Sequence, residues 1–576
     1  MRLMKGKSKD PTYHVIKDVR RNGKRSSEIV ENLGHGSEIC AKYNVTDPDA
    51  WAKEYIRKLN EDEASKDHNV LINFKTDVTI PMDRQLSFNA GYLFLQRIYY
   101  QLGLPTICNK IKKENGFAYD LNAIMSRMIY GRILYPSSKL SCYEQSQGLL
   151  EPPEFELHQI YRALSVISEQ SEMIQAELYK RSKKIVKRST GILFYDCTNF
   201  FFELEEESGI KKYGPSKEHR PTPIVQMGLF MDKSGIPLAF CINPGNQNET
   251  LSLKPLEQQI MRDFELSKFV VCTDAGLSSE ANRRFNNYGE RSFITTQSIK
   301  NLKTKLREWC LDPKGWQLEG SRKKYDISTL EDNEENKNLV FYKQRLIEGW
   351  DSERDIAFDQ TLIVTYSLKY KLYQRNVRKG QIDRAMRYME KPSSADRRSQ
   401  LDAKRFIKKT ALTNDGEIAE KAMYEIDQNV IAREEMYDGF YAVCTNLDDD
   451  PATIAKINHD RWEIEESFRI MKSEFEARPV YLQRDDRIKA HFLTCFVSLM
   501  IYRILEKQLK EEYTCEEIIK TLRGMDMREV KGEGYIPCYK RTELTDALHE
   551  NVDFRTDYEL LTKKSMAGVI RRSKGL

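Results

Sequence analysis

The sequence predicts an α/β protein with a helical region ahead of it, and three observations lead there. Short runs rich in β-branched and aromatic residues at 191–196 and 268–274 each end in an aspartate. Between them come two more strands and a helical crossover, and a helix and a further strand follow. That alternation builds a sheet covered by helices rather than a bundle. Upstream, between residues 90 and 186, apolar residues recur at helical spacing instead.

From the start of the chain, residues 11–34 read as a small β-hairpin, because two β-prone runs flank the turn pair Asn22-Gly23. The polar stretch 60–69 reads as a linker. A helical stretch covers 90–111, where Leu93, Leu95, Ile98, Tyr99 and Leu102 keep the period and Gly103 and Pro105 break it. Further helices are expected at 121–134 and 160–186. The α/β segment then consists of strand 191–196, a hairpin of 224–231 and 236–242 about the turn Asp232-Lys233-Ser234-Gly235, crossover helix 251–264, strand 268–274, helix 278–288 and strand 292–296. Residues 300–440 interrupt it with mixed content, strands at 339–342 and 361–365 and a basic helix after Tyr366, which reads as an insertion. The core resumes with strand 440–445 and helices 451–475 and 485–509, and 513–576 reads as an irregular tail. The expected units are 1–80, 81–188, 189–299, 300–439, 440–510 and 511–576.

A chain of 576 residues is too long for one hydrophobic core. With 40% hydrophobic and 31% charged residues it falls with folded globular proteins rather than disordered or membrane ones. The sequence shows neither an uninterrupted apolar run of about eighteen residues nor the apolar core of a signal peptide, so a cytoplasmic protein with no membrane partner is expected. Its 11 cysteines are scattered singly, with no C-x-x-C pair, and indicate neither zinc fingers nor disulfides. Net charge is only +5, but its distribution is uneven. The first 25 residues carry nine Lys/Arg against two Asp, and 369–409 carries fourteen against four acids, interleaved with tyrosines. That mixture suits phosphate contact with stacking, and equally a solvated helix face.

Asp196 and Asp274 end two strands that would open into one cleft if they lie side by side. In the helix after Asp460, Arg461, Glu465 and Lys472 recur at offsets of four and seven, within roughly 40° of one face. Trp462, Ile464, Phe468 and Met471 are available to seat that helix on the sheet. Taken alone, Arg461 and Glu465 are also compatible with a simple surface ion pair.

The pattern Arg461-x3-Glu465-x6-Lys472 resembles the third motif of bacterial insertion-sequence D-D-E transposases, in which a tyrosine precedes the arginine. Asn458 stands in the tyrosine's place, so whether Asn458 or His459 takes over its contact with the DNA backbone is open. Tyr195-Asp196-Cys-Thr-Asn-Phe resembles the first acidic motif of that family and Thr273-Asp274-Ala-Gly-Leu-Ser-Ser-Glu280 the second. The blocks 214–221 and 235–251 resemble the stretches between them.

This resemblance implies a ribonuclease-H-like catalytic domain interrupted by a β-rich insertion. It implies Asp196, Asp274 and Glu465 as the catalytic acids and ligands of two Mg²⁺ ions, for which Mn²⁺ can substitute, since hard oxygen donors suit these cations. Asp196 would bridge both ions. Arg461 and Lys472, with Asn458 and His459, are the DNA-binding candidates; the first two either grip phosphates of the element end or orient Glu465. Double-stranded DNA, as terminal inverted repeats and target, is the expected partner of a homodimer associated with the bacterial nucleoid. The segments 1–80 and 81–188 are candidates for recognising the element end. A nuclease that cuts without joining, or a catalytically silent DNA-binding descendant, are the alternatives.

Overall fold

The computed structural model describes the chain except for residues 22–23, 66–69, 71, 73, 75, 219, 352–355, 391–401 and 412–421. It divides into two compact units, Met1–Met82 and Asp83–Leu576.

The first unit is a three-stranded antiparallel sheet, Arg2–Lys5, Thr12–Arg21 and Lys24–His35, followed by helices Gly36–Tyr43 and Pro48–Ser65. Tyr13, Ile39 and Ala52 form its buried centre. The expected hairpin therefore gains a third strand, while its turn pair Asn22-Gly23 lies outside the described residues. The linker expected at 60–69 begins as helix: residues 60–65 complete Pro48–Ser65, and 66–69 are outside the described residues. Polarity suggested a linker, but Glu and Ala are good helix formers whatever their exposure.

The second unit is built on a ten-stranded sheet. At its centre, Ile192–Phe201 pairs antiparallel with Ile224–Asp232, which pairs antiparallel with Pro237–Pro244. On its other side Ile192–Phe201 pairs parallel with Phe269–Thr273, which pairs parallel with Arg291–Thr296. Three antiparallel strands followed by two parallel ones, with helix Thr250–Asp263 as crossover, is the ribonuclease-H-like arrangement expected from the sequence. Most strands of residues 300–439 extend this sheet, while Ile407–Ala411 and Ala422–Ile426 pair apart from it as a two-stranded antiparallel sheet. Phe440–Thr445 pairs with Arg291–Thr296 on one side and with Ile356–Tyr366 on the other, and Phe341–Asp351 and Lys314–Leu318 extend the same sheet. Trp316, fully buried among Phe341, Leu362, Tyr366 and Cys444, anchors that extension.

Alternation along the strands separates two cores. Tyr195 and Cys197 face Leu253, Leu256 and Ile260 of the crossover helix. Phe194 and Phe200 face the larger core, which includes Ile464, Phe468 and the long helix Asp485–Gln508. That helix is apolar and long enough to cross a membrane, yet 94% of its apolar window is buried within the protein, packed by helices Tyr92–Gln101, Leu121–Leu134 and Leu157–Glu169.

Several expected boundaries shift. The helical stretch 160–186 is two helices, Leu157–Glu169 and Ser171–Ser182, and 451–475 is likewise two, Pro451–His459 and Trp462–Ser473. Apolar periodicity runs through such short breaks and hides them. The tail is not irregular. Helix Cys515–Gly524, opened by a Thr514/Glu517 capping box, leads to strands Asp526–Val530 and Gly534–Pro537. These join Ser87–Asn89 and Leu561–Thr562 in a four-stranded sheet, and helices Glu543–Glu550 and Lys563–Ser573 complete the segment. Its strands are short and charged, so they carry little hydrophobic alternation. Gly91 lets it dock: a Cβ there would meet the Leu522 carbonyl oxygen at 1.9 Å.

Candidate active site

Asp196 lies in the middle of Ile192–Phe201, not at its end as expected. The strand continues because its antiparallel partner Ile224–Asp232 pairs along its whole length, as far as Phe201↔Ile224. What ends near Asp196 is the parallel pairing on the other edge, whose last register pair is Tyr195↔Thr273. The next residues in that register are Asp196 and Asp274. Parallel strands in register present the same face, so both acids fall on the side of Phe194 and Cys272, beneath the helix that carries Glu465.

Asp196 is 8% exposed and accepts a hydrogen bond from the Cys197 N–H at 2.8 Å. Burial raises its carboxyl to about 6, with Asp274 adding to the rise while Lys217 and Arg461 oppose it. Asp274 is half-buried and caps its own loop, accepting from the Leu277 N–H at 3.0 Å. Serine caps the following helix: Ser279 accepts from Asn282 N–H at 3.2 Å.

The Glu465 helix is positioned from both ends. Asp450 caps the helix before it, accepting from the N–H groups of Ala452 and Thr453, and Ile464, Phe468 and Met471 bury its apolar stripe. Trp462, expected to share that role, is instead 51% exposed. It falls at the first turn, beyond the strip that meets the sheet. Arg503, 3% exposed on the long helix, donates to Ser467 Oγ at 2.9 Å and to the Glu463 carbonyl at 3.3 Å, which fixes the helix from behind.

Of the three motif residues, Arg461 and Lys472 turn inward. Arg461 has a 15% exposed side chain and its Nη1 lies 3.2 Å from Glu465 Oε1. Burial works to lower its pKa, but Asp196 and then Glu465 outweigh that and raise it. Lys472 Nζ donates to Thr198 Oγ1 at 2.7 Å, two residues along the strand from Asp196. Burial, reinforced by Lys217, lowers Lys472 to about 8. Glu465 keeps a 59% exposed side chain paired with Arg461. The three carboxylates are thus not drawn into one tight cluster. Among the described residues, the His/Cys/Asp/Glu group with ligand atoms all within 4.8 Å of one another is Asp546, His549 and Asp557, on the C-terminal segment.

Asn458 and His459 part company. His459 is exposed, whereas Asn458 is 4% exposed and committed inward. Its amide donates to the Tyr441 hydroxyl at 2.7 Å and accepts from Cys272 Sγ at 3.5 Å. The side chain that replaces the tyrosine of the motif thereby holds another tyrosine, from the adjacent strand, beside Arg461 and Glu465 in one open cavity of about 820 Å³.

Two residues not singled out from the sequence also border the acids. Lys217 is exposed and donates from Nζ to the Cys197 carbonyl at 2.5 Å. Glu249 has its pKa raised by burial and by Asp274, against Lys217. Both lie in the inter-motif blocks quoted above, which was the available signal. The donor set suits a divalent cation: hard carboxylate oxygens, one of them pushed toward protonation by its burial and further by its acidic neighbour, are relieved by positive charge.

Residues 188–501 match the family model described as the transposase DDE domain. Among solved structures, the chain is similar to piggyBac transposase in a synaptic complex with hairpin DNA, with 8% identity, 76% of this chain and 78% of that one covered, and a TM-score of 0.35. It is also similar to the Mos1 transposase in a paired-end complex with the left transposon end, with 13% identity, 42% and 66% coverage, and a TM-score of 0.13. No curated protein matches. The family match spans more than half of the 576 residues and runs from just before the Asp196 strand into the long helix behind Glu465, so the chain belongs to the transposase DDE-domain family.

Proposed function

We propose that the chain is a DNA transposase that cuts double-stranded DNA at the ends of an insertion sequence and joins the freed end to target DNA. The observation that carries this reading is the juxtaposition, on one sheet face, of Asp196 and Asp274 in parallel register under a helix that presents Arg461, Glu465 and Lys472. Asp196, Asp274 and Glu465 would hold two Mg²⁺ or Mn²⁺ ions. When bound, such ions stabilise the charge on the attacking and leaving oxygens of an in-line phosphoryl displacement.

The chain's own residues orient and screen. Thr198 fixes the Lys472 ammonium beside Asp196, where it neutralises a phosphate placed over the strand. Arg461, paired with Glu465 and held charged by Asp196 and Glu465, would grip the phosphate on the other side. Of the two DNA contacts open at the motif's missing tyrosine, the geometry favours exposed His459, and the Tyr441 hydroxyl that Asn458 holds is an additional candidate. In the first step a water oxygen bonds to phosphorus and the 3′ oxygen leaves as a hydroxyl. That hydroxyl then attacks a target phosphodiester, whose own 3′ oxygen leaves. A homodimer would hold two element ends together.

The test is cleavage and joining of a labelled duplex carrying the element's end, in Mg²⁺, by wild type and Glu465→Gln. Nicking and joining by wild type with binding alone by the variant is expected. Binding without cutting by both, in Mg²⁺ and Mn²⁺, would identify a silent descendant. Cutting without joining by wild type would identify a nuclease, and equal activity of the two would remove Glu465 from the site.

A further inference from the structure

A cavity of about 260 Å³ lies between the helical region and the segment that follows the Glu465 helix. Its wall includes Arg132 from helix Leu121–Leu134, Ser138 and Lys139 at the start of helix Lys139–Ser146, and Arg478. Exposed Glu476 and Tyr481 stand at its mouth, so it communicates with solvent.

Apart from exposed Glu476 this wall carries no carboxylate, and the charge of its buried part is not balanced. Lys139 is 6% exposed, and among the described residues its ammonium has neither a hydrogen bond nor an ion pair. Arg132 is 5% exposed and donates only to neutral main-chain carbonyls, of Phe475 at 3.0 Å, Glu476 at 3.3 Å and Ser137 at 3.0 Å, with its Nε unpartnered. Burial, and then Arg132, lowers Lys139 to about 8, with no carboxylate acting to restore it. His491 on the same wall is held neutral by burial and by the two cations. Two buried cations side by side without a counter-charge are costly, and an anion between them removes that cost. The start of helix Lys139–Ser146, capped by Ser138 accepting from the Ser141 N–H at 3.2 Å, adds partial positive charge.

We propose that this cavity is an oxyanion site that takes a phosphate group, with Lys139 and Arg132 as its binding residues. A backbone phosphate of DNA is the favoured source. Arg478 pairs with Glu218, Lys472 Nζ lies 3.7 Å from Glu218, and Lys472 bonds Thr198, so a continuous chain of polar contacts joins this wall to the strand that carries Asp196. The DNA source rests on the function proposed above; the phosphate chemistry does not.

The experiment titrates intact wild type and Lys139→Met with inorganic phosphate at constant ionic strength, following thermal melting, and titrates both with a fluorescent duplex. Wild type is expected to gain Tm saturably with phosphate. Lys139→Met is expected to bind phosphate at least tenfold more weakly and duplex at least fivefold more weakly. Lost phosphate response with unchanged duplex affinity would keep the site and overturn DNA as its source. Absence of any phosphate response in wild type would overturn the site. If Lys139→Met does not fold, wild-type crystals soaked in tungstate decide: anomalous density between Lys139 and Arg132 supports the site, and its absence there overturns it. DNA cutting is scored separately, so phosphate bound at Lys139 by a protein that never cuts DNA would leave this site standing and remove the transposase reading.

Discussion

Glu257→Gln replaces a carboxyl that the fold holds entirely out of water. Glu257 sits on the crossover helix Thr250–Asp263, is 0% exposed, and accepts a hydrogen bond from Asn286 Nδ2 at 2.9 Å. Its other oxygen, Oε2, and Asn286 Oδ1 have no partner. An ionised Oε2 without a partner is costly to bury, and burial raises Glu257 from 4.5 to about 8. Each pKa unit corresponds to about 1.4 kcal/mol. A folded-state carboxyl that titrates near 8 instead of 4.5 therefore costs the folded protein roughly 5 kcal/mol once pH exceeds both values. The direction follows from proton counting. Below 4.5 both states are protonated and nothing is lost; between 4.5 and 8 the unfolded chain releases the proton and the folded one keeps it, so stability falls as pH rises. Glutamine is isosteric, stays neutral, and keeps an oxygen to accept from Asn286 Nδ2. The assay is thermal melting of wild type and Glu257→Gln from pH 4.5 to 9. The variant should match wild type at the acid end and exceed it by several degrees at the alkaline end. A difference that does not change with pH would refute the assignment of a protonated, buried carboxyl.

Asp196→Asn should lower DNA cleavage at least a thousandfold while raising Tm at pH 7.5, because the wild-type carboxyl, held at about 6, must ionise in a buried place at that pH; a variant as active as wild type, or less stable, would contradict this. Arg503→Met should destabilise the large unit by about 3–5 kcal/mol in denaturant titration, since it leaves Glu463 and Glu506 without their buried partner. A loss below about 1 kcal/mol would show that packing alone seats the Glu465 helix.

Much of the α/β core was legible because its strands are short apolar runs bounded by turn residues, and the motif around Glu465 because helical spacing alone puts Arg461, Glu465 and Lys472 together. The tail was not legible: its strands are short, and Asp526–Val530 takes one of its partners from Ser87–Asn89, far away in sequence. Asp196 read as a strand end because a charged residue closes the apolar run, whereas Ile224–Asp232 supplies hydrogen bonds that carry the strand to Phe201.

By itself the sequence determined which residues carry charge, which segments can be strand or helix, and which acids recur in a family pattern, since these depend on composition and local period. Only the tertiary structure decided where those charges are spent. It placed Asp196 and Asp274 in adjacent register, turned Asn458 away from solvent to hold Tyr441, and continued the insertion into the core sheet. It also buried Lys139 beside Arg132 without a counter-charge. Burial and pairing across hundreds of residues have no local signature, because each depends on which distant element excludes the water.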